Sequence, residues 1–151
     1  MLWKTHLAFG LFVALVAMPF VTTGNKIVFV VLAMVASLLP DIDEPNSKIS
    51  NQIPVLPKLL SLLVKHRGIF HTLFLALLIP GVVWYFVGHS YGVAIFVGYM
   101  SHLLIDGMTV SGINFLHPVS KLHVSGFIKT GSVGEWVVFF LIVVGILFTL
   151  L

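Results

Sequence analysis

The chain has 151 residues, of which 59% are hydrophobic and 9% charged, with a mean hydropathy of +1.13 and a formal net charge of +3. These values exclude an ordinary soluble domain and place the chain among polytopic membrane proteins, as one domain over 1–151. Without a single cysteine, disulfides, iron–sulfur clusters and thiolate zinc sites are excluded, and any metal must be held by imidazole and carboxylate.

Five apolar stretches follow in chain order, at 5–21, 27–40, 69–87, 92–106 and 134–151, and each predicts a helix. The expected fold is all-α, a polytopic membrane bundle of about five transmembrane helices. The second and fourth stretches, at about 14 and 15 residues, are short against a hydrocarbon core of about 30 Å. Turn residues at 22–25 and Gly88-His89-Ser90 make two tight connections, whereas 41–68 and 107–133 are longer and polar. Leu56 to Val64, with Lys58 and Lys65 on one helical face, predicts a short interfacial helix inside the first of these.

Five spans put the N-terminus and both long connections on one side. Lys4, Lys48, Lys58, Lys65, Arg67, Lys121 and Lys129 fall there, against Lys26 alone opposite, so that side is expected to be cytoplasmic. The N-terminal segment also has the look of a signal peptide, with Lys4 ahead of an apolar run, but no clear small-x-small cleavage site follows it. The basic residues are scattered without interleaved aromatics, which argues against nucleic acid and for anionic lipid headgroups as the partner.

All five acidic residues (Asp41, Asp43, Glu44, Asp106, Glu135) and five of the seven histidines (His6, His66, His71, His102, His123) fall at same-side ends of these stretches. Ionisable groups at that depth are costly and point to function. His6 follows Thr5, a reasonable N-cap, and taken alone reads as a surface histidine. Asp41 and Asp43 flank Ile42 between two prolines, which favours extended backbone with both carboxylates on one side, free to meet one cation or bridge two. Glu44 reads as solvated. In His66-Arg67-Gly68-Ile69-Phe70-His71, Gly68 lets His66 turn back while His71 enters the first helical turn. Arg67 reads either as a clamp for a substrate phosphate or carboxylate, or as an arginine snorkelling to headgroups.

His102 and Asp106 are the most pointed pair. Four residues apart at the end of a helix, they share a face, with Gly98 one turn earlier leaving room. Glu135 reads either as a metal ligand or as the partner of Ser132 in a capping box. His123 lies on the same side in an irregular segment, and His89 and His117 read as turn residues.

The ordered set Thr5-His6, Leu39-Pro40-Asp41-Ile42-Asp43, His66-Arg67-Gly68 with His71-Thr72, Ser101-His102 with Asp106, and Thr130-Gly131-Ser132 with Glu135 resembles the YdjM-like family of membrane-bound metal-dependent hydrolases. It is also similar to the zinc-dependent phospholipase C and P1 nuclease group. That second resemblance implies metal-binding roles for His6, Asp41 or Asp43, His66 or His71, His102 and Asp106. The group's later His-x-x-x-Glu pair is missing, leaving only His123 and Glu135 downstream.

The expectation is therefore an inner-membrane hydrolase holding one or two divalent ions, zinc as the second resemblance implies, with a third ion implied by that same resemblance. Metal-activated water would attack a phosphoester, lipid or lipid-linked. One of Asp41 and Asp43 would ligate while the other accepts the proton or orients a histidine, and Arg67 would stabilise phosphoryl charge. The alternatives are a metal-ion carrier or sensor, and a scaffold whose charges only face headgroups.

Overall fold

The computed structural model describes residues 1–21, 24–43 and 69–151, with Asp43 described by its backbone alone. Five helices make up the described residues: α1 (Trp3–Ala17), α2 (Lys26–Ala36), α3 (Leu73–Phe86), α4 (His89–Gly107) and α5 (Val133–Leu150). Short 3-10 turns at Met18–Phe20 and Leu39–Asp43 extend α1 and α2. Between α4 and α5 two isolated bridges, Thr109 with Ile128 and Ile113 with Val124, draw the connection into a loose hairpin.

Local chemistry explains most of these limits. Pro19 cannot carry an α-helical hydrogen bond, and it sits near the start of the 3-10 turn, where none is required of it. Asn25 starts α2, its Oδ1 accepting from the amides of Ile27 and Val28 at 3.0 and 3.2 Å. Thr72 caps α3 from an extended conformation. Gly88, at φ 140°, makes the reversal into α4.

Several expectations need correcting. The fourth helix starts at His89 and runs 19 residues, so it is not short, whereas α2 is shorter than expected at 11. Leu39–Asp43 is a 3-10 turn and not an extended strand. At about three residues per turn, residues 41 and 43 no longer share a face. The N-cap of α1 is Leu2, with Thr5 inside the helix, and His71 precedes the N-cap of α3 instead of lying in its first turn. The interfacial helix at 56–64 lies outside the described residues.

The directions of the helices follow from which ends meet. The His6 end of α1 lies at the C-terminal end of α4, where Asp106 is 3.3 Å away. Ser37, just past α2, meets His102 of α4, and His71, just ahead of α3, meets the same residue. Glu135 in the first turn of α5 meets Leu2 and Thr5. Thus α1, α3 and α5 begin, and α2 and α4 end, at one end of the bundle.

Glycines let the central helices approach closely. A Cβ on Gly98 would stand 2.0 Å from the carbonyl oxygen of Ala33, and one on Gly10 would stand 2.7 Å from the Ser37 side chain. Ala33, Ala76, Ala94, Tyr99 and Leu103 fill the interior around these contacts. The outer faces are apolar as well, with Val31, Val35, Phe74, Leu77, Phe140 and Leu141 exposed. Such a surface suits lipid and not water. Trp3–Phe20 and Val133–Leu150, 18 residues each, are long and apolar enough to cross a membrane.

Because Gly98 faces backbone, Gly98→Ala should cost about 1–3 kcal/mol as α4 is forced away from α2. Nothing lies within 4 Å of a Cβ on Gly81, so Gly81→Ala should be neutral or slightly stabilising. Thermal unfolding of the two variants in the same detergent compares them directly, and equal melting temperatures would refute the close packing of α2 on α4.

Candidate metal centre

Three helix ends contribute four side chains to one small polar volume inside this apolar bundle. Asp41 arrives on the 3-10 turn after α2, His71 just ahead of α3, and His102 and Asp106 on successive turns of α4. One donor atom from each lies within 4.8 Å of all the others. His102 Nε2 is 3.3 Å from Asp106 Oδ2, 3.3 Å from His71 Nε2 and 3.6 Å from Asp41 Oδ1. His71 Nε2 is 3.7 Å from both Asp41 Oδ1 and Asp106 Oδ2.

The separations that involve His71 and His102, 3.3–3.7 Å, are close to those of a tetrahedral cation site. Donors about 2.0–2.2 Å from a central zinc are separated from one another by about 3.3–3.6 Å. Two nitrogen lone pairs facing each other at 3.3 Å repel unless a proton or a cation lies between them. Two carboxylates in the same volume carry the same requirement.

The orientation of His102 is fixed from behind. Its Nδ1 stands 2.7 Å from the Ser37 carbonyl oxygen, which can only accept, so Nδ1 carries the proton and donates. In the neutral ring, Nε2 then presents a lone pair to Asp41, His71 and Asp106, the usual arrangement of a metal-ligating histidine. The close approach at Gly98 brings α2 near enough for this bond. The lead into α3 is tied down by the Tyr99 hydroxyl, which donates to the Phe70 carbonyl, and by the Leu73 amide donating to Phe115 at 2.9 Å.

Among the described residues, the centre is fully buried on one side and partly exposed on the other. The side chains of His6 and His102 are fully buried, whereas those of Asp41 and His71 are 20% and 19% exposed. Burial pushes the Asp41 carboxyl up, but the hydrogen bond with His71 and the neighbouring imidazoles outweigh it, so it lies below its ordinary value.

His6 forms a second layer. Its ring stacks on that of His102 with centroids 3.9 Å apart and an interplanar angle of 11°. Neither ring nitrogen has a hydrogen-bond partner among the described residues, although Nε2 lies 3.3 Å from Asp106 Oδ1. Asp106 is therefore shared: Oδ2 faces His71 and His102, and Oδ1 faces His6 and the Met1 amino group.

The residues singled out in the sequence divide accordingly. Asp41, His71, His102 and Asp106 come together, with His6 against them. Glu135 stands outside the four-residue group. Its Oε1 accepts from the Leu2 amide and the Thr5 hydroxyl, and its Oε2 from the Gly131 amide. The expected capping box is not formed either, since the Ser132 side chain makes no capping bond and Glu135 reaches the residue before it. His66, Arg67 and Glu44 lie outside the described residues, as does the side chain of Asp43. His123 bonds Asn114 at 2.9 Å, away from the group. Sequence reasoning missed the Ser37 carbonyl, because a backbone acceptor leaves no mark on residue type.

Comparison with known proteins agrees with the membrane setting. A relative from Bacillus subtilis (strain 168), the uncharacterized protein YvsG, is 29% identical over 137 residues, covering 89% of this chain and 85% of its own length. The inner membrane protein YdjM of Escherichia coli (strain K12) is 27% identical over 124 residues, or 75% of this chain, as is the protein of the same name from Shigella flexneri. The match spans 63% of the length of each of these two. No solved structure matches. The model of one family, described as YdjM inner membrane protein, matches residues 1–150, and the chain belongs to that family.

Proposed function

We propose that this protein is an inner-membrane, metal-dependent hydrolase that acts on a phosphoester, with lipid or lipid-linked phosphate as its substrate class. The observation that carries the reading is the group of four donor atoms within 4.8 Å, supplied by residues from distant parts of the sequence. Two imidazoles and two carboxylates form an N/O donor set suited to zinc. Asp41, His71, His102 and Asp106 would hold one ion. His6 Nε2 and Asp106 Oδ1 would contribute to a second, which would also give the buried imidazole a partner.

When bound, a divalent cation with an open position lowers the pKa of water to about 7 and polarises a phosphoryl oxygen. The chain's own residues supply the rest. Ser37 holds His102 in the tautomer that points Nε2 inward, and Asp106 serves both groups of histidines with separate oxygens. Asp41 and His71 lie on the exposed side, where a substrate headgroup would arrive. Within this reading Asp43 remains the candidate to accept a proton or orient a histidine, and Arg67 the candidate to neutralise the phosphate, both argued from sequence.

The membrane setting extends to all five helices in this proposal. Their alternating directions put the centre at one end, and the Lys distribution makes that end cytoplasmic. Trp136 marks that end, and Trp84, Tyr85 and Tyr91 are exposed at the other, as expected of two membrane interfaces. A carrier fits less well, since carriers place their ligands near the midplane in broken helices, whereas these sit at helix ends.

Elemental analysis of the purified protein should find stoichiometric metal, lost in Asp106→Asn and His102→Ala while circular dichroism stays helical. Phosphoesterase turnover should fall more than about a hundredfold in both variants. Full metal content in both would end the metal reading, and exclusive activity on soluble phosphoesters would end the lipid one.

The topology is tested separately, because the chain has no cysteine to interfere. Single cysteines replacing Asn25 or Ser90 should react with an impermeant maleimide from the periplasmic side. Those replacing Ser111 or Ser132 should react only after the inner face is opened. Labelling of all four from one side would rule out the five-span arrangement.

A further inference from the structure

Glu135 is buried, at 1% exposed, yet belongs to no cation group among the described residues. Its Oε1 accepts from the Leu2 amide at 2.6 Å and from the Thr5 hydroxyl at 2.8 Å, and its Oε2 from the Gly131 amide at 2.6 Å. The first two donors sit at the N-terminus of α1, where backbone N–H groups lack helical partners and the helix dipole favours an anion. That helix has no cap of its own: Leu2 offers no side-chain acceptor, and no acidic residue stands in the first turn. The third bond needs the left-handed backbone of Gly131, at φ 76°, to turn its amide onto the carboxylate.

We infer that Glu135 is a positioning residue for the metal centre, a helix cap supplied across the bundle by α5 that fixes the first turn of α1 and thereby seats His6 on His102 and beside Asp106. His6 follows Thr5 directly, and no hydrogen bond to the described residues holds its ring. The place of that ring is therefore set by the backbone of α1, by stacking and by the approach to Asp106, and Glu135 holds the start of that backbone through the Leu2 amide and the Thr5 hydroxyl. The chemical consequence of this seating rests on the hydrolase reading, but the seating itself does not.

The test separates the two. Glu135→Gln keeps the shape but leaves one acceptor oxygen for three donors and turns an amide N–H toward another. Thr5→Val removes one bond and nothing else, and is the milder variant should the first fail to fold. Metal-free protein in micelles is treated with diethyl pyrocarbonate, and the modification of each histidine is read by mass spectrometry. His6 and His102 are both fully buried, so both should be protected in the parent protein.

In Glu135→Gln, His6 should react about tenfold faster or more while His102 stays protected, with a smaller rise in Thr5→Val, as expected when charged hydrogen bonds restraining a local opening are lost. Unchanged protection of His6 in both variants overturns the inference, and so does exposure of His102 in step with His6, which would mean general loosening of the bundle. With metal and a phosphoester substrate, the rate losses of Glu135→Gln and His6→Ala should not add in the double variant. Additive losses would place Glu135 in a role independent of His6. Failure of the hydrolase reading would leave the labelling result standing.

Discussion

The carboxylate of Asp106 is the constraint around which the rest of the bundle is arranged. It lies at the end of an apolar helix, its side chain only 15% exposed, where an unpaired charge would be costly. Partners on its own helix do not suffice, because only His102, one turn earlier, can reach it. The remaining partners come from elsewhere in the chain: the Met1 amino group just ahead of α1, His6 from α1, and His71 from the lead into α3. Satisfying one charged group thus fixes the relative height and direction of three helices. Asp41, brought in from the end of α2, adds a second negative charge and with it the need for a cation or protons.

Close backbone packing and polar geometry are coupled here. Gly98 admits the carbonyl of Ala33 against α4, and that approach carries Ser37 to within hydrogen-bonding distance of His102. In lipid there is little hydrophobic drive between helices, so small residues and interhelical hydrogen bonds carry much of the association. The same small-residue contact that joins α2 to α4 also selects the tautomer of a metal-facing imidazole. A change at Gly98 would therefore reach the site chemistry without touching a ligand.

How much of this was readable in the sequence follows from the kind of signal each feature leaves. Apolar runs identified five helices, because lipid-facing and core-facing residues are alike hydrophobic and long runs are hard to mistake. Helix ends were less visible. The fourth apolar run begins at 92 because His89 and Ser90 look like turn residues, yet both open α4 once Gly88 has made the reversal. Asp41, His71, His102 and Asp106 were found because polar groups are rare in such a chain. The extended backbone expected at Asp41 and Asp43 gives way to a 3-10 turn, since prolines argue against an α-helix but a 3-10 turn tolerates Pro40 near its start. Glu135 left two readings, ligand or local cap, and its bonds across to α1 belong to tertiary structure that no local spacing encodes.

The two oxygens of Asp106 also bear on what the centre is for. A structural ion is best held in a closed shell, with each ligand spent on that ion alone. Here one carboxylate faces two separate groups of nitrogen atoms, and two of the four clustered donors, on Asp41 and His71, are about one-fifth exposed at the outer side. His6 and His102, stacked and buried behind them, make a rigid back wall. Under the hydrolase proposal, a buried back wall behind two partly exposed donors is the arrangement that would let a substrate oxygen approach, which purely structural binding would not require. In the membrane arrangement proposed above, a polar front at the end of an apolar bundle would lie at the depth of lipid phosphates. A phosphoester in the adjoining leaflet would reach it without leaving the interface.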